Sequence, residues 1–409
     1  MKEKHIGLFH TYLKTVGLVT PLMILLAIGI NRLVDPYALF NGPSIEGINA
    51  NKQAFRSHLR MSKAAAIRHF RPRAIVLGTS RGESGIDPQH PGWSSKPVYN
   101  LSLSGGNIYE AYRYLQHANT LEPVRQIVLM LDFFMFNAIN NSEQADFDEK
   151  RLAVSFEGKF QSGFSDQITT LRSLDALFDS LNTVRLQHVD NVYRQDGFYF
   201  RKPTRKPGGQ RAVFLDLEKT YYKKTYENFN FQYGERNNLV VYRRLIQLAC
   251  SDEIDLRIII PPSHARLFET IAAKGIWPMF EQWKRQLVKI NEEEAQRLNA
   301  NPFPIWDFSG YNSLTTEPVP SLGDNQTEMR WHWESSHYKK ELGDLVLDRI
   351  FGYIHPDHSI PDDFGKLLNT ESINAHLQQI REDRVQWRAT YPEDAAEIDA
   401  LKGKGGPKN

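Results

Sequence analysis

Short, mainly apolar runs recur along the chain, each closed by glycine, proline or a polar turn. They read AIVLG at 74–78, VYNLSL at 98–103, QIVLMLD at 126–132, LRIIIPP at 256–262 and PIWDF at 304–308. Rich in Val and Ile and without polar alternation, such runs predict strands buried on both faces. Between them apolar residues return every three or four positions, in GNIYEAYRYLQHA (106–118), LVVYRRLIQLAC (239–250) and FEQWKRQLVKINEEEAQRL (280–298). That spacing belongs to amphipathic helices. Alternating strand and helix predicts an α/β fold: a three-layer α/β/α arrangement around a mainly parallel five-stranded sheet.

Two regions depart from this rhythm. From 133 to 255 the pattern offers more than one crossover needs: helical text at 166–189, then a basic, aromatic loop, GFYFRKPTRKPGGQRAVF, at 197–214. A structureless loop of that length is uncommon in a compact domain, so the interval predicts a partly helical cap. Its interleaved Tyr, Phe, Lys and Arg would suit a sugar polymer or anionic head groups, or simply a solvated loop. The N-terminus carries TVGLVTPLMILLAIGIN, from Thr15 to Asn31, without a charge between Lys14 and Arg32. This run predicts one transmembrane helix, at the short end of spanning lengths and extended by snorkelling of its flanks. Lys2 and Lys4 also suit a signal peptide, but no small-x-small cleavage site follows Ile30. With Lys2, Lys4 and Lys14 before the span and Arg32 after it, the positive-inside rule puts the N-terminus in the cytoplasm and the rest outside.

The expected organisation is therefore a cytoplasmic tip and anchor over 1–35 and a linker with a helix over 36–72. The α/β domain follows over 73–352 with its cap at 133–255, then a helical and disordered tail over 353–409. Composition changes this little. Fifty Lys and Arg against 48 Asp and Glu give a formal charge of +2, which argues for no nucleic-acid partner. One cysteine excludes an intrachain disulfide framework and any multi-cysteine metal site.

Chemistry enters with AIVLGTSRGESGIDP (74–88). In open α/β sheets, reactive groups gather at the carboxyl ends of the strands. Ser80 sits two residues past the glycine that ends the first run, where the chain turns into a helix. NLSLSGGN (100–107) ends the second run, and its glycines would let backbone N–H groups approach a developing oxyanion. A serine nucleophile needs a base. The candidate is His337, three residues after Glu334 in RWHWESSHYKKELGDLVLDRIFG (330–352). That spacing lets the carboxylate hold one imidazole nitrogen while the other faces the serine. The competing readings are acidic residues at a helix N-terminus, and a metal held by His332, Glu334 and His337. The triad is preferred, with no metal and no cofactor.

Taken together, Gly78-Thr79-Ser80, Gly105 in NLSLSGGN, and Glu334-Ser335-Ser336-His337 resemble the blocks of the SGNH (GDSL-like) hydrolase superfamily, over about 74–351 apart from the insertion. The resemblance implies a flavodoxin-like strand order, Ser80 as nucleophile, and an oxyanion hole from the Ser80 and Gly105 N–H groups. The family's third block, Gly-x-Asn-Asp, is replaced by LMLDFFMFN (129–137), with Asp132 where glycine is expected. Asn107 or Asn137 would then complete the oxyanion hole. Arg81, Asp132 and Asn137 are the candidate pocket residues.

The anchor and the Glu-x-x-His block resemble a narrower group, membrane-tethered SGNH proteins that help acylate cell-surface polymers. This implies a single-pass protein of the bacterial inner membrane whose main domain is periplasmic. The implied activity is a serine esterase or O-acyltransferase on acyl, chiefly acetyl, esters of a surface glycan or a small ester. A membrane-bound O-acyltransferase is its implied partner. The alternative is a catalytically inactive scaffold or glycan-binding protein with the same fold.

Overall fold

The computed structural model describes residues 2–139, 146–190 and 192–404. In chain order the first elements are helices α1 (Lys2–Val34) and α2 (Leu59–Phe70), strand β1 (Ala74–Leu77), helix α3 (Ser80–Gly85), strand β2 (Val98–Asn100), helix α4 (Ile108–Leu121) and strand β3 (Gln126–Met130). Helices α5 (Phe164–Leu171), α6 (Leu174–Arg185) and α7 (Gly209–Thr220) follow, then a π-helical turn, Tyr221–Thr225, and the two-stranded hairpin β4 (Gln232–Tyr233) and β5 (Arg236–Asn237). The chain continues as α8 (Asn238–Ser251), β6 (Asp255–Ile260), α9 (Ala265–Ala273), α10 (Trp277–Arg297) and β7 (Ile305–Asp307). It closes with α11 (Lys340–Phe351), β8 (Lys366–Leu368), α12 (Ile373–Thr390) and α13 (Pro392–Asp399).

These elements fall into two compact units. The first comprises residues 1–69 and 146–193, the second 70–145 and 194–409. The interval 133–255, expected to form one cap, is thus divided between them. Its helices α5 and α6 join the first unit, whereas the basic loop and α7 join the second.

In the first unit α1 runs well beyond the uncharged stretch read from the sequence, and Ile6–Val34 is long and apolar enough to cross a membrane. Burial begins only near its C-terminal end, at Asn31 and Val34. There the Asn31 amide donates to the carbonyls of Leu171 and Ser173, both at 3.1 Å, while Ser180 donates back to Asn31 Oδ1 at 3.0 Å. Tyr37, Leu39, Met61 and Ala176 close a small core beside this junction.

The second unit is built on a six-stranded sheet in the order β2-β1-β3-β6-β7-β8, parallel except for β8, which runs antiparallel to β7. The sheet has one strand more than the five expected. Residues 366–368 lie in what reads as tail, and three residues are too few to show a period. Helices α12 and α13 continue this correction: Leu377, Ile380, Trp387 and Ile398 are buried, so the segment after 353 belongs to the body. The end of the stretch read as disordered, 405–409, lies outside the described residues.

Burial of both strand faces follows from sequence parity. Val76, Val128, Met130 and Ile259 point into a cluster with Ile86 and with Leu342, Leu345 and Val346 of α11. Ile75, Leu77, Ile127, Leu129 and Ile258 have the opposite parity and are equally buried, so neither face meets water. Two close approaches position the site on this frame. A Cβ at Gly78 would lie 2.7 Å from Met130 Cβ, so only glycine lets β1 end flush against β3. A Cβ at Gly343 would lie 1.7 Å from Gly85 O, so α3 and α11 cross almost backbone to backbone.

Candidate active site

Thr79 caps α3, its Oγ1 accepting from Arg81 N–H at 3.4 Å, which leaves Ser80 as the first helical residue at the carboxyl end of β1. Two contacts hold this short helix in place. Asn100, at the end of β2, donates to the carbonyls of Gly82 (2.8 Å) and Ile86 (2.9 Å). The glycine crossing with α11 fixes the other side.

The opposite half of the site is a tight loop before α11. His332 and Tyr338 form an isolated antiparallel bridge, and Trp333 N–H donates to His337 O at 2.9 Å. Inside the loop one Glu334 oxygen accepts from the backbone N–H groups of Ser336 (2.7 Å) and His337 (3.2 Å). The other accepts from His337 Nδ1 and from Arg201 at 3.1 Å. Across the cleft His337 Nε2 lies 2.7 Å from Ser80 Oγ. The serine, histidine and glutamate singled out by spacing are therefore brought into one relay.

Electrostatics bias that relay. Burial penalises the Glu334 charge, but the His337 ring, its hydrogen bond and the Arg201 guanidinium outweigh burial and bring the carboxyl to about 2. Burial also drives the His337 pKa below its ordinary value. Arg201 and Arg81 act in the same direction, and Glu334 offsets only part of the shift. At neutral pH the imidazole is uncharged, with Nδ1–H held by Glu334 and Nε2 free to accept the serine proton.

The remaining candidates divide. Gly105 has φ of +65°, a conformation favouring glycine, on the loop after β2. Leu103 N–H donates to Gly78 O at 2.9 Å, which lays that loop against the turn carrying Ser80. Asn107 caps α4, its Oδ1 accepting from Glu110 N–H at 2.9 Å, so any donation to a substrate must come from Nδ2.

Arg81 and Asp132 do not form a pocket wall as expected. Both are buried and paired with each other; Asp132 also accepts from Thr79 Oγ1. Arg81 further donates to Ser336 Oγ at 3.0 and 3.1 Å and to Tyr221 at 3.3 Å. A buried guanidinium needs a carboxylate and a full set of acceptors, and this one finds them inside the protein. Asn137 is also buried, and its amide donates to the carbonyls of Thr225 and Glu227. Its Oδ1 accepts from Ile139 and Asn230, so Asn137 pins the turns near the hairpin and is fully engaged there.

His332 turns away from His337, its Nδ1 meeting Glu317 at 3.1 Å and its Nε2 the Pro262 carbonyl at 3.3 Å. It does not join Glu334 and His337 in a ligand set. Three polar partners escaped sequence reasoning: Arg201, Ser336 and Tyr221. Arg201 lies in the basic aromatic loop, and Ser336 inside the Glu-x-x-His block, so both had a local signal. Tyr221, brought in by a π-helical turn, had none. No protein-family model matches the chain, and no curated protein matches it.

Proposed function

We propose that the chain is a membrane-tethered serine ester hydrolase or O-acyltransferase of the SGNH type. The observation that carries this reading is the relay of Ser80 Oγ, His337 and Glu334, with 2.7 Å between the serine oxygen and the imidazole. The mostly parallel sheet, with Ser80 at the carboxyl end of β1, supports it.

In the proposed reaction His337 Nε2 takes the proton from Ser80 Oγ as that oxygen attacks the ester carbonyl. Glu334 holds Nδ1–H throughout and stabilises the imidazolium. The tetrahedral oxyanion meets the Ser80 N–H, which at the first helical position has no partner within the helix. The Gly105 N–H and the Asn107 amide complete the hole, each such donor typically worth ~10²–10³ in rate. Collapse breaks the carbon–oxygen bond to the leaving alcohol, which receives the proton from His337. The acyl-serine then passes its acyl group to water or to a sugar hydroxyl, His337 again taking the proton of the attacking oxygen.

The expected donor is an acyl, chiefly acetyl, ester of a surface glycan or a small ester, and the acceptor is water or a glycan hydroxyl. A membrane-bound O-acyltransferase is the expected partner, and the main body lies outside the cytoplasm of a bacterial inner membrane. The test is labelling of the purified, folded protein with a fluorophosphonate. One adduct is expected on wild type and none on Ser80→Ala. An adduct surviving in Ser80→Ala, or none on folded wild type, refutes the reading; the second outcome points to a scaffold without chemistry.

A further inference from the structure

Helix α6 presents two faces of opposite use. Ala176, Ser180 and Thr183 are buried, whereas Leu174, Phe178 and Leu181 are 67%, 64% and 54% exposed. The exposed three stand at i, i+4 and i+7, a single stripe on the outward side. Phe156 and Phe160, on the loop leading into α5, are 63% and 68% exposed. A stripe of three large apolar side chains on one helix face is the kind of exposed surface that marks a protein or membrane contact.

The place of α6 on α1 identifies what covers them. The uncharged run of α1 ends at Asn31, before Arg32, and seventeen residues of helix rise ~26 Å, close to the hydrocarbon thickness of a bilayer. Asn31 is hydrogen-bonded to the carbonyl of Leu171, which ends α5, to that of Ser173, the N-cap of α6, and to the hydroxyl of Ser180 within α6. The first turns of α6 therefore stand where the spanning helix leaves the lipid.

We infer that α6 is a membrane-surface helix, its Leu174–Phe178–Leu181 stripe seated in the interfacial layer of the bilayer that α1 crosses. The inference rests on α1 spanning the membrane and is independent of the proposed chemistry. It gives the first unit two attachments, one through the bilayer and one along its surface. A single helix leaves a domain free to swing about its exit point, and a second contact at that point fixes its attitude to the lipid.

The test uses the full chain, with Cys250→Ser removing the one native thiol, reconstituted in phosphatidylcholine–phosphatidylglycerol nanodiscs. Nitroxide labels are placed singly at Phe178→Cys, at Met23→Cys inside the span, and at the exposed Lys289→Cys as a solvent reference. Collision with oxygen reports lipid, and collision with a water-soluble nickel chelate reports solvent. Expected are a deep signal at 23, a solvent signal at 289, and at 178 severalfold loss of nickel collision with oxygen collision retained. A solvent signal at 178 beside a lipid signal at 23 overturns the inference and leaves the span intact. A solvent signal at 23 removes the span and the inference with it. Shielding of 178 from both reagents means that protein covers the stripe, which also overturns it.

Discussion

Replacing Gly343 by alanine tests whether the crossing of α3 and α11 sets the distance between Ser80 and His337. The new Cβ would begin 1.7 Å from Gly85 O, where ordinary contact starts at 3.4 Å, so the two backbones must part by about 1.7 Å. Its neighbours, the O, C and Cα of Gly85, are backbone atoms with no rotamer to adopt, and the relief has to come from moving a helix. Ser80 opens α3, while α11 begins only three residues after His337. Most of that separation is therefore felt at the 2.7 Å bond between them. Displacements near 1 Å at reacting atoms cost on the order of 10²-fold in rate, and overpacking of this kind costs about 1–3 kcal/mol of stability. Both are measurable: the labelling rate of folded protein with a fluorophosphonate, and the urea midpoint. Ile258→Val, buried in β6 away from the helix crossing, is the control, with a comparable cost of about 0.5–1.5 kcal/mol but no loss of labelling rate. Gly343→Ala protein that labels as fast as wild type would show that the crossing does not set the geometry.

Three further outcomes follow from the same contacts. His337→Ala lowers the labelling rate further than Glu334→Ala, by roughly 10- to 100-fold, because the base does chemistry while the carboxylate orients it; equal losses would contradict those roles. The imidazole must be neutral to act, and burial with Arg201 nearby holds its pKa down. The wild-type rate therefore falls to half below pH 6.5, and Arg201→Met, by removing a cation, moves that midpoint to higher pH; an unmoved or lowered midpoint refutes the assignment. Asp132→Ala leaves a buried guanidinium without its carboxylate and is expected to cost about 3–5 kcal/mol in urea melts. Adding Arg81→Met to that variant restores part of the loss, and a double variant no better than the single would show that the pair is not coupled.

What the sequence made legible was whatever has a period or a short-range signature. β1, β3 and β6 stand as mainly apolar runs, and α4, α8 and α10 as three- and four-residue repeats, within a few residues of where they fold. Glu334 and His337 were readable because their hydrogen bond spans three residues, and Ser80 because a glycine ends the strand before it. β8 was not readable: three residues, two of them exposed, carry no pattern until β7 supplies an edge to pair with. Nor was the division of the insertion, since the burial of Ser180 is decided by Asn31 of α1, 149 residues earlier, and that of Ala176 by Tyr37, Leu39 and Met61. Asn137 misled for a related reason: an asparagine near a strand end looks like a donor to substrate until the backbone carbonyls it serves are known.

The residue that departs most from the resemblance also explains how Ser80 is held in place. Asp132 stands where the family expects a glycine, and its two oxygens go to Thr79 and Arg81, the residues on either side of Ser80. The end of β3 is thereby tied to the turn that carries the serine. Arg81 extends the tie to Ser336, the residue before His337, and Tyr221 closes it with a 2.8 Å bond to the same hydroxyl. Ser80 and His337, 257 positions apart, are thus clamped twice: by charged hydrogen bonds beneath them and by glycine backbones beside them. On the proposed reading, a serine and a base held at bonding distance leave to substrate binding the work of presenting a carbonyl to them.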